Sequence, residues 1–228
     1  MSQQVHRMFS EIAPRYDALN DVLSMGIHRQ WRKVAVKLSG VQRGDSVLDC
    51  ATGTGDLAIA FKKAVGDGEV IGTDFNADML STAPKKALEQ GLDMKFEVAD
   101  AMNLPYADKR FTVASISFGI RNVDDPKACC AELARVVKRG GRVVVLEFGQ
   151  PTGLFGTFYR AWAKTAMPLL GRLVTGSDAP GDYLPRTMAA FPAGERFTAM
   201  MMETGRYTKA DAHPLMNGLA FVYVGTVR

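Results

Sequence analysis

The stretch Val47-Leu48-Asp49-Cys50-Ala51-Thr52-Gly53-Thr54-Gly55-Asp56-Leu57-Ala58 decides the fold of this chain. It begins as an apolar run, passes through a glycine-rich turn and restarts with helical periodicity, and the next apolar run ends at Asp74. Glycines at these two positions let the backbone approach a ligand where a Cβ atom would collide, and the turn opens onto a helix N-terminus. The pattern is typical of a nucleoside-binding β-α-β unit.

Two cofactors compete for this turn. A dinucleotide fingerprint, G-x-G-x-x-A followed by an acid, is matched by Gly53, Gly55, Ala58 and Asp74. Asp56, however, would place a carboxylate near the helix start where a pyrophosphate has to sit. S-adenosylmethionine (SAM) carries no phosphate, and its sulfonium and ammonium groups tolerate acids at Asp49 and Asp56. The charge balance favours SAM.

Composition indicates one ordinary globular domain over residues 1–228. The chain has 47% hydrophobic and 23% charged residues, which suits a single α/β domain with a full core. Its net charge is +4, and its Lys and Arg residues are scattered in pairs instead of forming a long basic block. No nucleic-acid partner is indicated, while an anionic membrane surface would be attracted by such a balance.

Cysteine and histidine usage argues against disulfides and metals. The three cysteines, Cys50, Cys129 and Cys130, are unsuited to a disulfide scaffold, which fits a reducing cytoplasm. The three histidines form no H-x-x-x-H pair and the cysteines no C-x-x-C pair, so no zinc site is expected. No leader-like or membrane-spanning run is visible, which predicts a cytoplasmic protein or one that binds the inner face of a membrane.

Alternating strand and helix patterns predict a Rossmann-like α/β fold. Strands are expected near 46–51, 69–73, 94–99, 111–118 and 141–148, and helices near 55–65, 76–90 and 126–138. The basic run 138–139 followed by two glycines reads as a helix end, and residues 219–224 as an added edge strand. This order implies a mostly parallel sheet with helices on both faces. We divide the chain into a helical N-terminal lid (1–43), a cofactor-binding core (44–150) and a substrate-side part (151–228).

Polar residues follow the successive strands at the edge where a ligand binds in such folds. They are Asp49 with the 52–55 turn, Asp74, Asp100-Ala101 and the run from Ser117 to Asn122. Asp74 can accept hydrogen bonds from two ribose hydroxyls, and Asp100 from an adenine amine. Each acid alone would often be a helix or turn cap, but their occurrence at successive strand ends favours one shared crevice.

Several blocks resemble the UbiE-type ubiquinone/menaquinone biosynthesis C-methyltransferases. They are Tyr16-Asp17-Ala18-Leu19-Asn20, residues 24–31, Asp49 to Leu57, Phe118-Gly119-Ile120-Arg121-Asn122-Val123, Leu146-Glu147-Phe148 and Tyr183-Leu184. The resemblance implies a class I SAM-dependent methyltransferase with a seven-stranded sheet. It also implies methylation of a ring carbon in a prenylated quinol, demethylmenaquinol or a 2-polyprenyl-6-methoxy-benzoquinol. Its SAM contacts fall on Thr54, Asp74, Asp100, Ala101 and Ser117, beside the Asp49, Gly53 and Gly55 of the loop.

Four residues are candidates for the reacting end. Arg121 stays cationic and could hydrogen-bond a developing phenolate or hold a water that removes the proton, while Asn122 could orient the other ring oxygen. The alternative for both is that they cap the strand and pair with a surface acid. Tyr16 could stack on the ring, or serve as a helix core anchor. His28 titrates near neutrality and could act as base, although a lone histidine is more often a cap or a surface residue.

The segment 154–174 is apolar and aromatic with basic residues interspersed. It suits an isoprenoid tail, with Arg160, Lys164 and Arg172 facing anionic headgroups, or else a core helix over the sheet. Where the family has Ala-Gly-Phe near the penultimate strand, this chain has Thr204-Gly205-Arg206, so the choice of quinol stays open. Other readings also stay open: methylation of another small molecule or lipid, and a non-catalytic SAM-binding scaffold in a quinone-synthesis complex or homo-oligomer.

Overall fold

A seven-stranded sheet forms the centre of the protein, which a computed structural model describes over residues 3–175 and 179–228. Its strands are β1 (Val47–Cys50), β2 (Val70–Asp74), β3 (Lys95–Val98), β4 (Phe111–Ser117), β5 (Val137–Phe148), β6 (Tyr207–Leu215) and β7 (Ala220–Val227). Their spatial order is β3-β2-β1-β4-β5-β7-β6. The first five strands are parallel, and β7 pairs antiparallel with both β5 and β6. The predicted mostly parallel Rossmann-like sheet is confirmed.

Ten helices are described in these ranges. They are α1 (Gln3–Ile12), α2 (Tyr16–Ser24), α3 (Ile27–Ser39), α4 (Asp56–Val65), α5 (Ala77–Leu80), α6 (Ala83–Leu88), α7 (Pro126–Val136), α8 (Gly153–Thr175), α9 (Ala179–Ala190) and α10 (Glu195–Glu203). A short 3₁₀ turn, Ile120–Asn122, follows β4. Local caps set some of the starts: the Asp125 carboxylate accepts the backbone N–H of Lys127 and of Ala128 ahead of α7. None of these helices combines the length and the hydropathy needed to cross a bilayer.

Two apolar layers hold the helices on opposite faces of the sheet. One layer contains Cys129 and Leu133 of α7 together with Phe197 of α10. The other contains Trp31 of α3 and Phe61 of α4. Packing of helices on both faces explains why the central strands β1, β2 and β4 are buried along almost their whole length.

Three details of the prediction were wrong. Residues 220–224 belong to β7, which is an interior strand, because β6 pairs beyond it and forms the edge. The expected helix at 76–90 is two short helices, α5 and α6. Residues 138–141 lie in β5 instead of ending a helix, since Val137 already pairs with Phe111 of β4. Edge pairing and bulges depend on partner strands that local periodicity does not reveal.

The N-terminal helices lie against the carboxyl ends of the strands. The Asn76 side chain caps α5 and also donates hydrogen bonds to the His6 carbonyl (3.1 Å) and to the Ser10 hydroxyl (3.0 Å) of α1. The helical character of the predicted lid is confirmed, whereas the division of the chain at residues 43 and 150 stays a prediction.

Candidate functional site

The glycine loop between β1 and α4 brings the ends of two strands together. Gly53 (φ +57°) and Gly55 (φ +85°) both have the left-handed backbone that favours glycine. A Cβ atom at Gly55 would lie 3.0 Å from the Ala83 side chain, so this position also permits close packing of α6. The Gly53 N–H donates to Asp74 Oδ2 at 2.8 Å, which ties the loop to the end of β2.

A cavity of about 260 Å³ lies above these strand ends. Its wall includes the predicted cofactor contacts Gly53, Asp74, Asp100, Ala101 and Ser117. Asp74 is nearly buried, and burial raises the pKa of its carboxyl group, against the hydrogen bonds from the N–H groups of Asn76 and Gly53. A carboxylate held by two backbone donors keeps a fixed direction, as a ligand for ribose hydroxyls requires.

Three predicted cofactor residues support the loop from outside this cavity: Asp49, Thr54 and Gly55. Asp49 is fully buried and accepts hydrogen bonds from Ser115 Oγ (2.6 Å) and Thr52 Oγ1 (2.7 Å). Burial raises the pKa of Asp49 to about 6, although both hydroxyls oppose the shift. Thr54 donates to Asp17 Oδ1 at 2.6 Å. Direct contact of these three residues with a cofactor stays a prediction.

Asp56, which favoured SAM over a dinucleotide, is paired with two cations. Arg32 Nη1 lies 2.6 Å from its carboxylate, and the Lys86 ammonium contacts its other oxygen. Despite opposing desolvation, Arg32 and Lys86 lower the pKa of Asp56, so it stays ionised within a neutralised cluster. The repulsion that we expected between Asp56 and a pyrophosphate is therefore weaker than the sequence implied, and the choice of cofactor needs independent support.

A second cavity of about 330 Å³ adjoins the first. Its wall is mainly apolar, and many of its residues are aromatic, among them Trp31, Phe118, Phe148, Phe155, Phe158, Tyr159, Trp162 and Tyr183. Phe9, Tyr16 and Phe118 border both cavities, so these rings form the boundary between them. A flat apolar ring fits the second cavity, next to whatever binds in the first.

The four predicted reacting residues each border at least one of the two cavities. Tyr16, His28 and Arg121 border the aromatic cavity, and Tyr16 and Asn122 border the polar one. Asn122 Oδ1 accepts a hydrogen bond of 2.6 Å from the hydroxyl of Tyr183 on α9. This bond orients the side-chain amide of Asn122 and does not use its NH₂ group.

Glu147 is a site residue to which the sequence analysis gave no role. Its side chain is fully buried at the end of β5, and Oε1 accepts from Arg121 Nη1 at 2.7 Å and from the Phe148 N–H at 2.8 Å. Burial raises the pKa of Glu147, against the attraction of Arg121. The signal in the sequence was the single carboxylate that ends the apolar run 143–148.

Two guanidinium nitrogens in the wall of the aromatic cavity have no acceptor among the described residues. They are Nε of Arg32 and Nε of Arg121, both buried. Arg121 uses Nη1 for Glu147 and for the Phe118 carbonyl, and Arg32 uses Nη1 for Asp56. A buried N–H without an acceptor costs about 1–3 kcal/mol.

The described residues contain no group of three or more acidic, histidine or cysteine side chains arranged to hold a metal ion. The cysteine thiols are free and buried, and burial raises the pKa of each of them. The side chains that border the two cavities can bind a ligand, orient it and form hydrogen bonds with it.

Comparison with known proteins gives a full-length match. The model of the ubiE/COQ5 methyltransferase family matches residues 1–227. The chain is 53% identical to a ubiquinone/menaquinone biosynthesis C-methyltransferase UbiE of Bdellovibrio bacteriovorus, over 98% of this chain and 96% of the relative. It is 44% identical to a demethylmenaquinone methyltransferase of Thermus thermophilus, over 96% and 99% of the two chains.

The fold also matches solved structures. A SAM-dependent methyltransferase of Thermotoga maritima superposes with a TM-score of 0.67, over 97% of this chain and 99% of that one. Its sequence identity of 19% means that this likeness establishes the fold alone.

Proposed function

The chain belongs to the ubiE/COQ5 methyltransferase family, and from that premise we propose that it transfers the methyl group of SAM to a ring carbon of a prenylated quinol. Of the two relatives described above, one is named for ubiquinone/menaquinone biosynthesis and the other for demethylmenaquinone. Demethylmenaquinol and the 2-polyprenyl-6-methoxy-benzoquinol are accordingly the two substrates to be distinguished.

The observation that carries this proposal is the pair of adjoining cavities. The polar cavity at the strand ends offers Asp74 and Asp100 to a nucleoside, and the aromatic cavity offers an apolar site for a ring. Because Phe9, Tyr16 and Phe118 border both, a donor in one and an acceptor in the other meet at that boundary. Methyl transfer is an in-line displacement, so this alignment supplies most of what the reaction needs.

The residues of the polar cavity fit SAM. Asp74, fixed by Gly53 and Asn76, is proposed to hold the ribose hydroxyls, and Asp100 the adenine amine. Ala101 and Ser117 line the adjacent wall, while Asp49, Thr54 and Gly55 shape the loop. When bound, SAM supplies an electrophilic methyl group on its sulfonium.

The residues of the aromatic cavity fit an oxygenated ring. Arg32, on α3, and Arg121, in the turn after β4, both border this cavity. A quinol has two ring oxygens, which can accept hydrogen bonds from side-chain N–H donors. The aromatic lining favours an aromatic substrate over an aliphatic amine.

Roles for the reacting residues follow from these contacts. Arg121, held by Glu147, is proposed to bind the phenolate oxygen that forms when the quinol loses its hydroxyl proton. Asn122, whose amide is hydrogen-bonded by Tyr183, is proposed to orient the second oxygen, and Tyr16 is proposed to pack against the ring. His28 is the proposed acceptor of the hydroxyl proton.

The test is incubation of the purified protein with methyl-labelled SAM and either reduced demethylmenaquinone or the matching benzoquinol. Label in the lipid phase with one quinol assigns the substrate. SAM binding without label in either product would instead support the non-catalytic scaffold. Label in a water-soluble or phospholipid product would favour another methyl acceptor.

Contact with a membrane surface is part of the same proposal. Large apolar side chains with unusually high exposure border the aromatic cavity: Met25 (80% exposed), Phe158 (74%) and Met216 (42%). Leu154 (82%) lies one helical turn from Phe158 on α8. Exposed apolar residues around the mouth of an apolar cavity favour insertion into lipid and direct entry of a prenylated substrate. Arg160 is exposed on the same helix, whereas the side chains of Lys164 and Arg172 lie outside the described residues.

Vesicle sedimentation tests this contact. Phe158→Ser should reduce binding to vesicles that contain anionic lipid, and Leu88→Ser, which removes an equally exposed leucine (76%) from α6, should leave binding unchanged. Equal binding of both variants and the parent would contradict the proposed surface.

A further inference from the structure

His28 lies at the start of α3 and borders the aromatic cavity, with 5% of its surface exposed. Its Nδ1 lies 2.5 Å from the hydroxyl of Ser24, the last residue of α2. The same hydroxyl oxygen lies 2.6 Å from the carbonyl oxygen of Asn20. Ser24 therefore makes two short polar contacts, one with an oxygen and one with a ring nitrogen.

Counting hydrogens assigns both contacts. A carbonyl oxygen has no hydrogen to donate, so the bond to Asn20 uses the only hydroxyl hydrogen of Ser24. The bond between Ser24 and His28 then requires a hydrogen on Nδ1, since two lone pairs facing each other at that distance would repel. The neutral imidazole consequently carries its hydrogen on Nδ1 and a free lone pair on Nε2.

We propose that Ser24 is a positioning residue that holds His28 in the Nδ1–H tautomer, so that Nε2 accepts the hydroxyl proton of the substrate. This inference rests on the proposed function, because it assigns the base of that reaction. It explains why Ser24, which is itself neither an acid nor a base, contacts the imidazole of His28 in the wall of the aromatic cavity.

The charged groups around His28 favour a neutral ring that can take up a proton. Burial lowers the pKa of His28, as does the nearby Arg32 and, more weakly, Arg29, whereas Asp21 and Asp56 oppose the shift. Asp21 Oδ1 lies 3.6 Å from Nε2, which is longer than a hydrogen bond but close enough to stabilise an imidazolium once it forms. The other ionisable side chains described around the aromatic cavity are tyrosines and arginines.

Atoms, protons and electron pairs balance in the proposed step. The O–H bond of the quinol breaks, its proton joins Nε2, and the phenolate oxygen pushes electron density to the ring carbon. That carbon forms the new C–C bond while the C–S bond of the donor breaks, and its electron pair leaves on sulfur. The ring C–H proton then departs to solvent, and Nε2 returns its proton to the phenolate, so one proton is released per methyl transferred.

The experiment combines NMR with kinetics on the full chain. With only three histidines in the protein, ¹⁵N-histidine spectra are simple, and His28→Gln identifies the His28 signals. We expect the parent and Ser24→Thr to show a protonated Nδ1 and an unprotonated Nε2 above neutral pH. In Ser24→Ala, the population with hydrogen on Nε2 should increase.

Kinetics test the consequence. Ser24→Ala should lower kcat at least about tenfold and shift the acid limb of the pH–rate profile, with the KM for SAM unchanged and Ser24→Thr restoring both. A purely structural serine would not move the pH profile. An Nε2–H tautomer in the parent, or an unchanged kcat and pH profile in Ser24→Ala, would overturn the inference. A parent that binds SAM but methylates neither quinol would overturn the proposed function, and the NMR result would still decide the tautomer.

Discussion

The carboxylate of Asp17 accepts a hydrogen bond of 2.6 Å from the hydroxyl of Thr54 and thereby joins α2 to the glycine loop. The Lys86 ammonium lies 2.6 Å from the other oxygen of Asp17 and also contacts Asp56 at the start of α4. These contacts link α2 and α6 to the glycine loop, which shapes the polar cavity.

Substitution of Asp17 should weaken SAM binding in two steps. Asp17→Asn keeps an acceptor for Thr54 but loses the charge that attracts Lys86, whereas Asp17→Ala loses both. Because these groups are partly exposed, we expect SAM affinity to fall about threefold and about tenfold, respectively, by isothermal titration calorimetry. Asp67→Asn, at a side chain that is 81% exposed, is the matched control. Equal affinities throughout would show that the link does not contribute.

Arg121→Lys should impair chemistry more than cofactor binding. Lysine keeps the charge but lacks the planar guanidinium group, whose Nη1 donates to both Glu147 and the Phe118 carbonyl. We expect kcat to fall about 10²-fold or more, as for loss of an oxyanion donor, with SAM affinity changed less than about threefold. Arg43→Lys, at an 80% exposed side chain, is the control, and circular dichroism checks folding. Full turnover in Arg121→Lys or Arg121→Ala would end the assignment.

Tyr183→Phe should lower activity because it removes the hydrogen bond that orients the Asn122 side chain. The change removes the donor at 2.6 Å from Asn122 Oδ1 and leaves the aromatic wall nearly intact. Loss of this bond frees the amide to rotate, so we expect kcat with the quinol to fall about tenfold. Tyr159→Phe is matched within the same cavity, because its hydroxyl has only a weak contact at 3.9 Å with Met188 Sδ. If both variants behave alike, the hydrogen bond to Asn122 has no kinetic role.

Asp49→Asn should gain stability relative to the parent as pH rises. Burial raises the pKa of Asp49 from 3.8 to about 6 in the folded chain. Protonated Asp49 therefore favours folding below about pH 4, and this contribution is lost as pH rises through about 6. The neutral asparagine avoids that loss, which amounts to as much as about 3 kcal/mol.

Urea unfolding at about pH 4, 6 and 8 measures this difference. The free energy of unfolding of Asp49→Asn minus that of the parent should increase across the series, while the same difference for Asp67→Asn should stay flat. A pH-independent difference for Asp49→Asn would mean that the carboxyl group titrates normally in the fold.

The local pattern of residues was sufficient for the glycine loop, the five parallel strands and the helix that follows the loop. These depend on interactions between neighbours in the chain: apolar runs bounded by turns, left-handed glycines and a helix start. The strand-end pattern indicated Asn122, and the resemblance added Tyr16 and Tyr183. The hydrogen bond between Tyr183 and Asn122 joins positions that are 61 residues apart in the chain. No local signal connects those positions.

Tertiary structure decided the rest, because charge and burial are properties of surroundings. The sequence presents Asp49 and Asp56 as two equivalent carboxylates beside one loop, yet one is enclosed with two hydroxyls and the other is neutralised by Arg32 and Lys86. In the sequence Glu147 is only an acid near the end of a strand, whereas in the fold it forms an ion pair with Arg121. The sequence alone determined an α/β fold with a nucleoside loop. Only the folded chain, by bringing distant ionic and aromatic groups into contact, determined which acids are available to a ligand and where an aromatic ring can bind.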